Sequence, residues 1–253
     1  MKSLPETRND ILPKEEPAFA VVFASSAEDI LRAQQLRYEV FVKEMGARIP
    51  CPDGLESDAF DPYCEHLLVV DQRKNIIAGY YRLLTEDGAK KAGSFYSETE
   101  FDLGDLRKKG RMLELGRACI HKDYRNGAVL ALLWSGLAKF LQQQPADYLV
   151  GCASVPVAEE NTLAFTWHYL QACYGAPADW QTMPKHPYPV GLKEPPAHWQ
   201  PSLSPLFKGY LKIGAKVCSA PAWDDIFGVA DFLLLMPVKE LNFRYVRHFI
   251  ERL

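Results

Sequence analysis

The sequence predicts an α+β domain built on a mixed sheet, and three observations carry that expectation. HLLVVD and IIAGYYRLLT, joined by the polar turn QRKN, have the composition and spacing of a β-hairpin. The stretch LELGRACIHKDYRNGAVLALLW, Leu113 to Trp134, reads as a strand, a turn and an apolar helix. Strand-like runs outnumber long helical ones and do not alternate strictly with them, which favours α+β over a doubly wound sheet.

The elements follow in order. Residues 1–18 read as a flexible lead-in: MKSLPETRNDILPKEEPAF is polar and broken by proline, unlike a signal peptide. A single domain is expected over 19–253. It starts with a strand at Phe19–Ala24. Ser25–Ser26 then opens a helix, with Glu28 placed to complete a capping box. Ile30, Ala33, Val40 and Phe41 make an apolar stripe on that helix, and Arg37 falls inside it, about 20° from Ile30. An acidic irregular loop, DGLESDAFDPYCEH, leads into the hairpin, whose second strand ends near Arg82. Gly88–Arg111 is mixed and finishes in a cationic turn. Tyr148–Val155 is a further buried strand. Residues 177–205 hold eight of the 18 prolines, with Trp180, Tyr188 and Trp199 among them, and read as a long ordered cover. A helix at Leu206–Gly214 and a strand at Asp231–Pro237 follow. The tail NFRYVRHFIERL is amphipathic, a face that suits either the domain or a membrane surface.

Composition narrows the function classes. Hydrophobic content of 48% and charged content of 24% are those of a globular protein with a substantial core. A net charge of −3 argues against nucleic-acid binding by overall electrostatics. The apolar run Ala128–Ala138 ends at Lys139, short of the ~20 residues a membrane span requires. The six cysteines show neither CxxC pairing nor a metal-ligand rhythm, and the histidines have no ligand spacing, so a reduced cytoplasmic protein without a metal is expected.

Glu114 and Arg117 are two charges in an otherwise apolar strand. Buried charges are costly unless paired or used. Three residues apart they should face opposite ways, but a β-bulge, which Gly116 is best able to permit, would bring them to one side. It would also free a backbone amide as a donor for a substrate carbonyl. Structural pairing of each charge is the alternative. After the strand, Arg125, Asn126, Gly127 and Ala128 open the apolar helix as a candidate anion site, although R-N-G turns are also common in purely structural roles.

Strand, R-x-G turn and apolar helix together resemble the pantetheine-phosphate-binding core of the GNAT superfamily of N-acyltransferases. LRYEVFVKEMGA, DAFDPYCEHLLVVD, GYYRLL, FYSETEFDL, LELGRACIHKDYRNG, YLVGCASVP and KGYLKIGA are similar to its hemolysin-like branch, which includes bacterial ornithine-acyl carrier protein N-acyltransferases. The resemblance implies a mostly antiparallel central sheet flanked by helices and splayed at the acyl-binding strands. It also implies transfer of a 3-hydroxyacyl group to the α-amine of ornithine, the first step of ornithine-lipid synthesis. Acyl-homoserine-lactone synthases resemble the chain more distantly, at Arg37, Phe41, Asp58, Asp61, Arg82, Glu114 and Arg117. From these likenesses Glu114, Arg117 and Asp61 are expected to be catalytic, with Glu114 as base. Arg37, Phe41, Asp58 and Arg82 are expected to hold substrate, and Arg125–Ala128 the phosphopantetheine. The turn is shorter than the superfamily's usual Q/R-x-x-G-x-G/A loop, which suits an arm delivered by acyl carrier protein rather than a nucleotide coenzyme or any tightly bound cofactor. Arg107, Lys108, Lys109 and Arg111 are the expected docking surface for that acidic carrier, with a solvated turn as the plain alternative. Another amine, a signalling lactone as product, or a non-catalytic acyl-binding module are the competing readings.

Overall fold

The computed structural model describes residues 18–157, 161–189 and 194–241. The elements, in chain order, are β1 (Phe19–Phe23), α1 (Ala27–Arg37), β2 (Glu65–Asp71), β3 (Ile76–Thr85), α2 (Glu86–Ala92), β4 (Phe101–Asp102), β5 (Met112–Ile120), α3 (Ala128–Gln143), β6 (Tyr148–Pro156), α4 (Thr162–Tyr174), β7 (Met183–Pro184), α5 (Pro205–Lys212), β8 (Lys216–Val217), β9 (Ala222–Asp224) and β10 (Val229–Pro237). A π-helical segment, Tyr38–Glu44, continues α1.

The central sheet runs β1-β2-β3-β5-β6-β10-β8, with β9 on β10. Every pairing is antiparallel except β5 with β6. Those two strands pair only from Met112–Tyr148 to Glu114–Val150, although each is nine residues long, so the sheet splits open beyond Glu114. A Cβ on Gly151 would lie 2.4 Å from the Leu115 carbonyl oxygen, so only glycine lets the backbones stay this close where they begin to part. The sheet is thus mixed, mostly antiparallel and splayed.

Alternation along the strands sends residues to two cores. Tyr81, Leu83, Leu113 and Leu115 pack under α3, α4 and α5. Tyr80 and Cys119 face the opposite layer, against Ala33, Leu36, Val40 and Phe41. The capping box of α1 is present, but it joins Ser26 to Asp29 rather than Glu28, because Asp29 occupies the third helical position. Arg82 lies inside β3 and does not end it, since the strand continues to Thr85. Helix α4, whose apolar residues run all round it, has no counterpart in the periodicity reading. The proline-rich stretch is pinned by its aromatics: Trp180 packs on Tyr148, Tyr188 on Trp223 and Trp199 on Phe165, at 5.6–5.8 Å between ring centroids. All six cysteines are free thiols, with Cys119 and Cys218 buried. The amphipathic tail and the lead-in, apart from Ala18, lie outside the described residues.

Candidate active site

Three arginines reach one point from three elements. Arg37 ends α1, Arg82 lies in β3 and Arg117 in β5. The irregular loop before β2 supplies Glu56 and Asp58, and Asp61 follows at its end. Together the six side chains close a ring of alternating charge. Arg37 pairs with Glu56 through Nε and with Asp61 through Nη1 at 2.8 Å. Arg82 Nη1 bridges Asp61 at 2.7 Å and Asp58 at 2.6 Å. Arg117 closes the circuit, donating to Asp58 from Nη2 at 3.0 Å and to Glu56 from Nε at 3.2 Å. Each ion has two opposite neighbours, which offsets a desolvation cost that an isolated pair would not recover. Arg37 is 0% exposed, which explains its seat on an apolar stripe. The ring opens to solvent only at Asp58 and Arg117, whose side chains are 20% and 12% exposed. Burial tends to raise Asp61, but Arg37 and Arg82 outweigh it and hold the carboxyl at about 2. Asp58 is likewise lowered, because Arg82 and Arg117 prevail over burial. Glu56 was not singled out from sequence. Its only signal is a second acid two positions before Asp58, within an acidic loop.

The bulge is present, one residue later than expected. Between the Arg82–Gly116 and Tyr80–Cys119 pairs, Tyr81 faces two β5 residues, Arg117 and Ala118. Arg117 itself takes the left-handed conformation, at φ +52°, while Gly116 does not. The extra residue turns Arg117 to the face that Glu114 occupies. The two do not touch. Glu114 Oε2 accepts the Tyr96 amide and Oε1 the Ser97 amide, both at 2.7 Å, with the Ser97 hydroxyl also on Oε1. Burial raises the Glu114 pKa despite these donors. By fixing that turn, Glu114 holds the Tyr96 ring 4.5 Å from the Arg117 guanidinium carbon and 5.6 Å from that of Arg82. Phe41, expected to touch substrate, packs edge-on against Phe227 at 5.7 Å, and Phe227 covers Arg117 at 5.2 Å, which places Phe41 one ring away from the ionic ring.

Beside this edge stands a second acidic group. Glu100, Asp224 and Asp231 bring carboxylate oxygens within 4.8 Å of one another. Asp224 and Asp231 lie on the neighbouring strands β9 and β10, but Glu100 comes from a turn far along the chain, so spacing gave no hint of the group.

At the start of α3, Gly127 has φ +92° and the Asn126 side chain accepts the Ala128 amide at 3.1 Å. That leaves the Val129 and Leu130 amides as the open donors of the first turn. Arg125 is committed elsewhere, to Glu44 at 2.7 Å and the Ile120 carbonyl at 2.9 Å, so it adds charge near the turn without a free donor fork. The cationic segment is also paired: Arg107 with Glu86, Lys108 with Asp105, Lys109 with Asp179 and Arg111 with Asp87.

Comparison with known proteins bears on the family and the fold. Residues 36–135 match the acetyltransferase (GNAT) domain family. An L-ornithine N(alpha)-acyltransferase of Brucella abortus is 34% identical over 250 residues, covering 90% of this chain and 88% of that protein. One from Rhizobium meliloti is 36% identical over 246 residues, covering 89% and 82%. Among solved structures, the CoA-dependent acyl-homoserine lactone synthase BjaI superposes with a TM-score of 0.51 at 16% identity, covering 89% of this chain and 82% of that one. FeeM, an N-acyl amino acid synthase from uncultured soil microbes, gives 0.51 at 8% identity, covering 89% and 93%. The structural likenesses bear on the fold. The relatives' identity over nearly the whole chain decides the family: the chain belongs to the L-ornithine N(alpha)-acyltransferases, built on a GNAT domain.

Proposed function

We propose that the chain moves a fatty acyl group from the phosphopantetheine thioester of an acyl carrier protein to the α-amine of ornithine, forming the amide that begins ornithine-lipid synthesis in the cytoplasm. The observation that carries this reading is the open Asp58–Arg117 edge of the ionic ring, set where β5 and β6 part.

The thioester arm lies between the parted strands, with its phosphate at the Val129 and Leu130 amides. Arg117 takes the amino acid carboxylate, and Asp58 orients the ammonium. An α-ammonium has a pKa near 8, so neutralising it near pH 7 costs only about 1–2 kcal/mol. Glu114, made more basic by burial, receives that proton through one water at Oε2, which accepts a single protein donor. The neutral amine attacks the carbonyl, the C–N bond forms, the C–S bond breaks, and the thiolate leaves as thiol with the second amine proton. An amide of the Arg117–Ala118 bulge, outside the ladder, steadies the oxyanion. No covalent enzyme intermediate is required, since a thioester is already activated. Asp61, Arg37 and Arg82 keep the ring in place.

The test is incubation of purified chain with acyl carrier protein thioesters and an amino acid pool, with mass spectrometry of the lipid. N-acylornithine is expected, and faster from the carrier thioester than from the CoA thioester. Acylation of a different amine, or no amide at all, overturns the reading. Glu114→Gln is expected to abolish turnover, and near wild-type turnover in the folded variant leaves Glu114 only its hold on the Tyr96–Ser97 turn.

A further inference from the structure

A buried carboxylate needs a cation or a set of donors, and in this molecule the two acidic groups of the site differ sharply in that respect. Glu56, Asp58 and Asp61 each meet two arginines. Glu100, Asp224 and Asp231 form no ion pair among the described residues. Yet Asp231 is 3% exposed, and the Glu100 Oε2 atom is buried with no hydrogen-bond donor at all. Asp231 Oδ1 accepts the Ser154 hydroxyl at 2.5 Å, and Asp224 Oδ1 accepts the Ile226 and Phe227 amides at 2.9 and 3.0 Å. Glu100 and Asp231 also share a hydrogen bond, with the Cys152 thiol beside Glu100, but no cation pairs with the trio among the described residues. Leaving such acceptors unpaired is costly unless something arrives to meet them.

The group's position says what arrives. Glu100 lies four residues after Tyr96, and Asp224 three before Phe227. The rings of Tyr96 and Phe227 both cover Arg117. The three carboxylates therefore stand beside the open edge of the ring, where an amino acid would be held by its α-carboxylate and α-amine. We infer that Glu100, Asp224 and Asp231 are the subsite for the side-chain ammonium of the acyl acceptor, and select a diamino acid over a monoamino one. The inference rests on the acyl-transfer reading for the identity of the acceptor. An alkylammonium brings one charge and three N–H donors to three acceptor groups, beside the proton that Glu100 and Asp231 share. Burial first raises both carboxyl groups; the charges of Asp231 and Asp224 add to it at Glu100, and that of Asp224 at Asp231, while a hydrogen bond with Glu100 lowers Asp231.

The experiment compares L-ornithine with L-2-aminopentanoic acid, which lacks the terminal amine and is otherwise the same length. Titration calorimetry reads binding, and kcat/KM with the carrier thioester reads turnover. Wild-type chain is expected to prefer ornithine by about 10–100-fold, the worth of hydrogen bonds to a charged group. Asp231→Asn and Glu100→Gln should each erase most of that preference, by weakening ornithine while leaving 2-aminopentanoic acid little changed. Both variants should fold, because each removes a carboxyl whose folded pKa is raised and which therefore opposes folding at pH 8, and their thermal midpoints at that pH should rise. Equal loss on both amino acids, or no preference in the wild type, overturns the subsite. So does a divalent ion that binds at the trio and competes with ornithine. Calorimetric preference for ornithine in a chain that acylates no amine keeps the subsite and overturns the acyl-transfer reading instead.

Discussion

Arg117 holds a backbone conformation, φ +52°, that costs an ordinary residue about 1–2 kcal/mol. The site offsets this through Glu56, Asp58 and two aromatic faces, all gathered on one guanidinium. Nε and Nη2 go to different carboxylates, a division of labour that a single ammonium cannot reproduce. Arg117→Lys is therefore expected to lower kcat/KM by about 10–100-fold although the charge is kept; wild-type kcat/KM in that variant would remove the bidentate role. The sequence pointed to Gly116 as the bulge residue, because glycine is the usual occupant of left-handed backbone. Arginine takes the position instead because tertiary ion pairs repay the strain, and such pairs have no signature in local spacing. Glu114 shows the same limit. Its place in a buried strand was legible, but its three donors come from residues 96 and 97, which only the fold brings to it.

The element that most defines the site is the irregular loop before β2. Its carboxylates tie it to α1, β3 and β5. Removing one partner strands buried charge, so Asp61→Asn is expected to cost about 3–5 kcal/mol in denaturant unfolding. The pH dependence follows in sign. Asp61 is lowered from 3.8 to about 2, so the folded state binds its proton more weakly than the unfolded state does. Its stabilisation is complete above pH 4 and is lost as pH falls through about 2. Wild-type chain should show a falling thermal midpoint across that window, and Asp61→Asn a flatter one; parallel slopes would place the acid sensitivity elsewhere. Helix α3 illustrates a signal that local sequence did carry. The R-N-G turn marked its start, and Gly127 at φ +92° is the residue that fits there. Arg125 pairs with Glu44, on the π-helical segment, a partner that local spacing does not reveal.

Across the whole molecule, β5 and β6 part, where we place the acyl arm, while the surrounding antiparallel strands keep the sheet continuous. No described helix is long and apolar enough to cross a membrane. With a net charge of −3, any attraction to an acidic carrier must be local. The segment at 107–111 stays our proposal for that surface. Lys108 is paired only to an equally exposed Asp105, a contact worth at most about 1 kcal/mol and easily exchanged. Lys108→Glu combined with Lys109→Glu should therefore reduce kcat/KM for the carrier thioester at low salt and leave that for the CoA thioester unchanged. Equal effects on both donors would move the docking surface elsewhere.

Much of this protein could be read from its amino acids alone. The hairpin, the strand–turn–helix centre and the odd seat of Arg37 all follow from periodicity, because burial imposes a local rhythm on each element. What periodicity leaves out is the partner of each buried charge. The ring that joins Arg37, Glu56, Asp58, Asp61, Arg82 and Arg117, the meeting of Glu100 with Asp224 and Asp231, and the left-handed Arg117 are settled only when distant segments meet. Charges interact through space, and the chain's order records neither their distance nor the water they lose.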